Sequence, residues 1–385
     1  MRLNNYEFLD DIDKTKYLDS IPINVGLKYF GGKKFIAKYL INHILNLAIC
    51  MKNRGDTPQI FVDAFTGGGK IGLSIPKGFF DKIVINDLNY GVYCYFKEIK
   101  DNPKELICAI DQISQNISKD MFYVFIHIRN NRQLEPVIAG ALTYWMAYCS
   151  YNGILDPKHA YYNLTRLEEN GRPLNGSLER YNIQKIKEKA HRRISRLHEI
   201  IKDYEVENLD YRELIKKYNG KEYIDVDGNA HAVPEYSKKN KLWYFDPPYH
   251  PSTVYAGNEA SYLDTFDKET ADEMTRILHG DLEEEYGALS YFIKSDYDPK
   301  EAFRIAKEEK DNTNNGSLKK WYEQVINMEE NGHQFTTIFD CLEQDPFKKI
   351  CLGEFDKGSL SGNEGELIKN SAKEFIWCRG FNEDY

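Results

Sequence analysis

Long apolar runs and paired cysteines are both missing from the 385-residue sequence. No stretch approaches the roughly 20 apolar residues of a membrane-spanning helix, and the charged, Asp-rich segment after Met1 lacks the profile of a signal peptide. The seven cysteines are scattered, odd in number and never spaced as CxxC, which favours reduced thiols and argues against a zinc site. We therefore expect a cytoplasmic protein with no membrane partner and no bound metal.

A predominantly basic surface is missing too, because Asp and Glu outnumber Lys and Arg and the net charge is −9. This balance excludes a protein coated in positive charge, yet it leaves room for one local basic face. With 42% hydrophobic residues, the chain has ample material for the core of one large domain or of two.

What the sequence does contain is a short aromatic run that ends abruptly at two prolines, NKLWYFDPPYHP at residues 240–251. The run predicts a buried strand, and since Pro247 and Pro248 have no amide hydrogen, the chain must leave the sheet there. Asp246 then lies at the carboxyl end of the strand, with Tyr249 just beyond it, where open α/β sheets bind ligands. A carboxylate, a proline carbonyl and an aromatic ring suit a planar base that carries an amino group. A tight turn in which Asp246 caps the next element is the competing interpretation.

A glycine-rich stretch, QIFVDAFTGGGKIGLS at residues 59–74, predicts a strand, a tight turn and then a helix from Lys70. Such a unit is typical of nucleotide binding, because glycines let backbone amides approach a ligand closely. Gly67, Gly69 and Gly72 also satisfy GxGxxG, so a nucleotide-dependent dehydrogenase has to be weighed.

The next predicted strand, KIVIND at residues 82–87, ends in Asp87. An acidic residue about twenty positions after the glycines can accept hydrogen bonds from the ribose hydroxyls of a nucleoside. This spacing predicts a nucleoside cofactor without choosing between NAD and S-adenosylmethionine, which share an adenosine.

From residue 105 to 204 helical spacing dominates, and positive charge is concentrated there. Residues 158–202 contain eleven Lys or Arg and five Asp or Glu, and residues 184–202 predict an amphipathic basic helix. Clustered positive charge in an acidic protein is what binding to phosphates requires. A solvated charged face is the alternative interpretation.

These motifs together resemble those of the Dam-like (D12 class) N6-adenine-specific DNA methyltransferases. Asp-Pro-Pro-Tyr resembles the catalytic motif of that family, LKYFGGK at residues 27–33 its amino-terminal motif, and DAFTGGG at residues 63–69 its glycine loop. The order of the motifs is also the family's, with a helical target-recognition region between the ribose-binding strand and Asp-Pro-Pro-Tyr. A dehydrogenase would leave the first and last motifs without a use, and a non-catalytic DNA-binding protein would explain only the basic helix.

The resemblance implies particular site residues. The catalytic residues it implies are Asp246, Pro247, Pro248 and Tyr249. For S-adenosylmethionine, the spacing of Asp87 and the resemblance together give Tyr29, Lys33, Asp63, Phe65, Gly67, Gly69, Asp87, Asp210 and Asp246. The segment at residues 205–214 predicts a short strand that ends at Asp210. Asp210 could equally be the amino-terminal cap of a helix that starts near Arg212. DNA contacts are expected from Asn152, Arg192, Arg193 and Arg196.

The fold class that follows is a Rossmann-like α/β methyltransferase sheet with helices on both faces, plus a mainly helical target-recognition insert. We expect a catalytic, cofactor-binding domain at residues 1–104 and 205–385, which includes an acidic extension at 300–350, and a recognition domain at residues 105–204. The expected reaction is methyl transfer from S-adenosylmethionine to the N6 atom of a flipped adenine in double-stranded DNA. The acceptor could also be cytosine or RNA, and a cognate restriction nuclease is a candidate partner in a bacterial or phage-type context.

Three further segments carry weaker signals. A polar loop at residues 251–266 resembles the family's loop over the target base. Residues 219–240 predict a polar linker with a small hairpin around Asp227 and Gly228. Residues 373–381 resemble the closing strand of the family's sheet.

Overall fold

The computed structural model describes residues 26–30, 33, 37–76, 79–158, 160–164, 176–232, 239–248, 268–297, 347–357 and 370–379. The helices are, in chain order, α1 (Ala37–Asn53), α2 (Tyr90–Asp101), α3 (Pro103–Ile113), α4 (Lys119–Ile128), α5 (Pro136–Cys149), α6 (Gly176–Ile201), α7 (Tyr211–Asn219), α8 (Lys268–His279) and α9 (Glu283–Tyr286). The strands are β1 (Ile60–Asp63), β2 (Lys82–Asn86), β3 (Glu205–Glu207), β4 (Tyr223–Ile224), β5 (Ala230–His231), β6 (Lys241–Phe245), β7 (Phe292–Tyr297), β8 (Phe347–Lys357) and β9 (Asn370–Arg379). The fold is therefore mixed α/β, as the sequence predicts.

Packing divides the chain into two compact units. The described parts of Met1–Ala37, Pro58–Lys241 and Ser261–Asp264 belong to the first unit, and those of Lys38–Thr57, Leu242–Ala260 and Thr265–Tyr385 to the second. This is a division by contacts, and the predicted functional division at residues 105 and 204 stays a prediction.

In the first unit, three strands run parallel in the order β3-β2-β1. Every residue of β1 is buried, and so are the last four residues of β2. Strands covered on both faces carry near-continuous apolar runs rather than alternating ones. This explains why IFVD and KIVIN show no alternation, and it places their carboxyl ends at one edge.

Helices α2 to α6 also belong to the first unit, and α5 is buried along most of its length. Gly140 lets α5 approach α2 closely, since a Cβ atom at this position would lie 3.1 Å from backbone atoms of Cys94 and Tyr95. Helix α6 confirms the predicted basic helix. Its buried residues recur at helical spacing and are Ile186, Ala190, Ile194, Leu197 and Ile201.

Two predicted element boundaries in the first unit are wrong. The glycine loop leads only to a single 3-10 turn, Gly72–Ser74, and not to a helix from Lys70. The residue before a proline is driven to extended backbone, and Ile75, which precedes Pro76, has φ −69° and ψ 134°. The strand predicted to end at Asp210 instead ends at Glu207.

In the second unit the strand order is β6-β7-β9-β8, with β6 and β7 parallel and the remaining pairs antiparallel. The predicted closing strand is present as β9. The loop at 251–266 and almost all of the extension at 300–350 lie outside the described residues.

Within the described ranges, none of the helices has the length and apolar character that crossing a membrane would require. The small hairpin predicted near Gly228 belongs to the first unit and is present as β4 and β5.

Candidate functional site

The glycine loop after β1 is a strained turn that glycine alone accommodates well. Gly67 and Gly69 have φ values of 50° and 78°, in the left-handed region that residues with a Cβ atom avoid. At Gly69 a Cβ atom would lie 2.7 Å from Leu73 Cδ1 and 2.8 Å from Phe96 Cζ. The amide of Gly69 donates to the carbonyl of Thr66 at 2.7 Å, which closes the turn. These internal contacts fix the loop backbone.

The segment around Tyr29 packs on this loop. The amide of Leu27 donates to the carbonyl of Gly68 at 2.8 Å. A Cβ atom at Gly67 would lie 3.1 Å from Cε1 of the Tyr29 ring, and one at Gly68 would lie 2.8 Å from the Leu27 carbonyl oxygen. Two motifs that are far apart in sequence therefore meet. Lys33 is 6% exposed.

Asp87 follows β2 and is held through both carboxylate oxygens. Oδ2 accepts the amide hydrogen of Gly67 at 2.7 Å, and Oδ1 accepts that of Asn89 at 2.9 Å. The side chain is partly exposed. Each oxygen of a carboxylate has two lone pairs, so a carboxylate held in this way can still accept hydrogen bonds from a diol.

Asp63 has a different environment from Asp87. It ends β1, is 1% exposed, and its Oδ2 accepts the amide hydrogen of Gly72 at 3.0 Å. A Cβ atom at Gly72 would itself lie 3.0 Å from this oxygen. Asp63 therefore anchors the turn after the glycine loop from the buried side.

Asp210 is the amino-terminal cap of α7, which is the second of the two roles that the sequence leaves open. Its Oδ1 accepts hydrogen bonds from the amide of Arg212 at 3.0 Å and from Nε of Arg212 at 2.9 Å. The next residue, Tyr211, packs against Phe65 with 5.7 Å between the ring centroids. Asp210 and Phe65 are both partly exposed. In the cap role the Asp210 carboxylate stays partly exposed, and the residue that follows it carries the ring that packs on Phe65.

Asparagine side chains join the ends of the three parallel strands, and they are not among the residues predicted from the sequence. Asn86 donates through Nδ2 to the carbonyls of Ala64 and Leu209, both at 3.0 Å, and its Oδ1 accepts the amide hydrogen of Leu209 at 2.9 Å. These bonds take the backbone out of the β3 ladder and explain why that strand ends early. The available signal was the pair of asparagines that flank Asp87 and Leu88.

In the second unit, Asp246 follows β6, whose last four residues are buried. The strand stops where the prolines begin, as predicted. Asp246 and Pro248 are partly exposed, whereas Pro247 is buried. Tyr249 lies outside the described residues. The structure thus places a carboxylate at the carboxyl end of a buried strand.

A sequence model of the D12 class N6 adenine-specific DNA methyltransferases matches residues 29–226, slightly more than half of the chain. The chain belongs to this family. It is a transferase that methylates adenine in DNA, and the family generally uses S-adenosylmethionine. No curated protein matches the chain.

The match with the methyltransferases includes the glycine loop, Asp87 and α6, and it ends before Asp246. It sets aside the dehydrogenase, and the missing helix after the glycine loop agrees, because the GxGxxG fingerprint opens a helix. The non-catalytic binding protein is set aside as well, because the family is one of enzymes.

Helix α6 of the methyltransferase presents a row of basic side chains opposite its buried face. Arg192 and Arg196 are exposed, whereas Arg193 is half-buried with its guanidinium 5.3 Å from the centroid of the Tyr148 ring. Residues three or four apart lie on the same side of a helix. The row is therefore formed by Lys185, Lys189, Arg192 and Arg196. The side chain of Asn152 lies outside the described part of the chain.

Proposed function

We propose that the protein methylates a specific adenine in double-stranded DNA, with S-adenosylmethionine bound at the glycine loop of the first unit. The observation that carries this placement is the exposure of the residues at the strand ends. Among the described residues of the first unit, the proposed cofactor residues that remain partly exposed are Tyr29, Phe65, Gly67, Asp87 and Asp210. Partly exposed aromatic, carboxylate and glycine positions beside a buried sheet suit an adenosine derivative.

Each of these residues has a proposed task. Asp87 accepts hydrogen bonds from the ribose hydroxyls, and the backbone of Gly67 lets the donor approach without a Cβ atom between them. Tyr29 and Phe65 offer aromatic surface, and Asp210 offers a carboxylate beside it. The buried residues Asp63 and Gly69 shape the loop. Lys33 stays a proposed contact of the donor through the motif that it belongs to.

The acceptor side of the reaction is assigned to Asp246 and to the carbonyl of Pro247. The exocyclic nitrogen of adenine is a poor nucleophile, because its lone pair is delocalised into the ring. Asp246 and the Pro247 carbonyl each accept a hydrogen bond from one N–H group of the amine. These two bonds draw the nitrogen towards tetrahedral geometry and free that lone pair. The donor, when bound, supplies an electrophilic methyl group on a sulfonium. As the bond from the methyl group to N6 forms, the bond from that methyl group to sulfur would break and S-adenosylhomocysteine would leave. Positive charge would grow on the nitrogen, where the acceptors that the two prolines hold would stabilise it, and loss of one N–H proton to solvent would restore a neutral amine.

The target base has to leave the double helix before it can reach Asp246. Extrusion costs a few kcal/mol of lost stacking. Stacking of the base on an aromatic side chain returns about 1–3 kcal/mol, and we assign this role to Tyr249. Pro248 fixes the backbone between the carboxylate and the ring.

DNA phosphates are assigned to the exposed row of α6. Arg192 and Arg196 are its described arginines, and Lys185 and Lys189 extend it by about 11 Å towards the amino end, at 1.5 Å per residue. Because the Arg193 guanidinium packs on Tyr148, we assign Arg193 to holding α6 in place. Asn152 stays a proposed DNA contact through the motif that it belongs to.

The proposed partner, beyond DNA, is a cognate restriction nuclease that recognises the same sequence. Methylation of adenine would protect that sequence against cleavage. DNA methylated by this protein can be treated with nucleases whose recognition sequences contain adenine. If none of these sequences is protected, the protein acts without such a partner.

The test of the proposed function is a paired measurement on Asp246→Ala. We expect methyl transfer from labelled S-adenosylmethionine to DNA to be abolished, while equilibrium binding of S-adenosylmethionine weakens much less. Glu283→Ala, which removes an exposed carboxylate of α9, is the matched control and should retain transfer. Full transfer activity in Asp246→Ala would refute the mechanism.

A further inference from the structure

The turn between α4 and α5, residues 129–134, docks on the segment that contains Asp87. The side chain of Asn130 accepts the amide hydrogen of Gly91 at 3.0 Å. The hydroxyl of Tyr90 donates to the carbonyl of Leu134 at 3.2 Å. The turn belongs to the predicted recognition insert, whereas residues 87–91 lead from β2 into α2. Two functionally distinct parts of the first unit are therefore joined at this place.

Arg129 reaches Asp87 through Asn89. Its side chain is 0% exposed, Nη1 donates to Asn89 Oδ1 at 3.0 Å, and Nη2 donates to the carbonyl of Leu155 at 2.9 Å. Asn89 Oδ1 also accepts the amide hydrogen of Val92 at 3.2 Å and so caps α2. The amide of Asn89 in turn donates to Asp87 Oδ1. A buried guanidinium is costly unless it is well hydrogen-bonded, so this arrangement constrains Asn89 strongly.

Arg132 reaches the same aspartate through Asn208. Its Nη2 donates to Asn208 Oδ1 at 2.7 Å. The other amide atom, Asn208 Nδ2, donates to the carbonyls of Asp87 at 2.7 Å and of Leu88 at 3.0 Å. The guanidinium also lies 5.1 Å from the centroid of the Tyr90 ring. Because an arginine can only donate, it fixes which end of the Asn208 amide faces Asp87.

We propose that Arg129 and Arg132 are positioning residues for the Asp87 carboxylate, and that the turn between α4 and α5 thereby sets the affinity of the site for the ribose diol. The inference rests on the proposed function, in which Asp87 binds that diol. Arg129 acts on the side chain through Asn89, and Arg132 acts on the main chain through Asn208. In this proposal both arginines act through the asparagines and not on the ligand itself.

The test compares two ligands that differ only in the diol: S-adenosylhomocysteine and its 2′,3′-dideoxy analogue. Calorimetric titration gives the dissociation constant of each, and their ratio measures how well Asp87 is placed. If the turn had a merely structural role, changing it would weaken the binding of both ligands by the same factor and leave the ratio of their dissociation constants unchanged. For the wild type we expect the dideoxy analogue to bind at least about tenfold more weakly.

The decisive variants change Arg132, because this side chain is exposed and its replacement should not prevent folding. Residues that share a network have coupled energies, so Arg132→Gln should reduce the ratio by at least about twofold. Arg132→Lys keeps a hydrogen-bond donor and should retain part of the wild-type ratio. Arg276→Gln makes the same charge change on an exposed arginine of α8 and should leave the ratio at its wild-type value.

Arg129→Lys should reduce the ratio more than Arg132→Gln does. Thermal unfolding shows whether the Arg129→Lys variant folds. If it does not fold, the Arg132 variants alone decide the matter. An unchanged ratio in Arg132→Gln overturns the inference while the proposed function stands. A wild type that does not distinguish the two ligands refutes the role of Asp87 itself, and the inference with it.

Discussion

The carboxylate of Asp87 accepts a hydrogen bond from the amide of Gly67, twenty residues earlier in the chain, with 2.7 Å between Oδ2 and N. Two residues that the sequence predicts separately, one from a glycine loop and one from a strand end, are thus in direct contact. The contact orients the carboxylate and the loop backbone together. Loss of the Asp87 side chain should therefore disturb the loop backbone at Gly67 as well as removing the carboxylate.

Asp87→Ala should weaken binding of S-adenosylmethionine by about 10- to 100-fold, the cost of losing hydrogen bonds to a charged group. Isothermal titration of the wild type and the variant measures this effect. Asp81→Ala, which removes an exposed carboxylate just before β2, is the control and should bind normally. An unchanged affinity in Asp87→Ala would remove Asp87 from the site.

Gly69→Ala should lower the free energy of unfolding by about 2–5 kcal/mol, because it adds a steric clash to a left-handed backbone. Gly228 has a similar φ of 84°, but a Cβ atom at Gly228 would have nothing within 4 Å. Gly228→Ala should therefore cost only about 1–2 kcal/mol. Urea denaturation of both variants separates strain from clash, and equal losses would show that the contacts with Leu73 and Phe96 relax.

The slope of log affinity for DNA against log salt concentration is negative, and Arg192→Gln and Arg196→Gln should each reduce its magnitude by about 1. Arg193→Gln should leave that slope unchanged and instead lower the free energy of unfolding by about 0.5–2 kcal/mol, through loss of the contact with Tyr148. Fluorescence anisotropy at several salt concentrations, together with urea denaturation, checks both. A loss of salt dependence in Arg193→Gln alone would reverse the assignment of the two faces.

Lys241 makes stability depend on pH. Burial lowers the pKa of its ammonium group from 10.5 to about 8. The unfolded chain then binds more protons between these two values, so this group makes the free energy of unfolding rise with pH from about 8 to 10.5.

Lys241→Met removes the buried charge and should stabilise the protein below pH 8 by on the order of 1 kcal/mol, a figure reduced for partial solvent screening. The gain should vanish towards pH 10.5, the ordinary lysine value. Urea denaturation across this range measures it, with Lys239→Met as the control, because the Lys239 side chain lies nearby and is 41% exposed. A gain that does not change with pH would mean that Lys241 is charged throughout.

Local patterns predict the elements that depend on local chemistry. The apolar run before Pro247 predicts β6, and the basic periodic segment predicts α6. The helix expected after Lys70 fails because Pro76 stops it, and that proline is visible in the sequence. The half-buried position of Arg193 also follows from its spacing of three and four residues to the buried Ala190 and Leu197.

Contacts between distant residues could not be predicted in this way. Asn86 bonds to Leu209, 123 residues away, and Arg132 bonds to Asn208, 76 residues away. No periodicity in the sequence distinguishes these polar residues from other polar residues at strand ends and in turns. Only the packed fold shows that they hold the ends of β1, β2 and β3 around Asp87.

The most direct measurement is transfer of labelled methyl from S-adenosylmethionine to unmethylated genomic DNA, followed by digestion to nucleosides and their separation. We predict that the label appears in N6-methyladenine. Label in a methylated cytosine, or no label in DNA from a protein that binds S-adenosylmethionine, would contradict the proposed reaction.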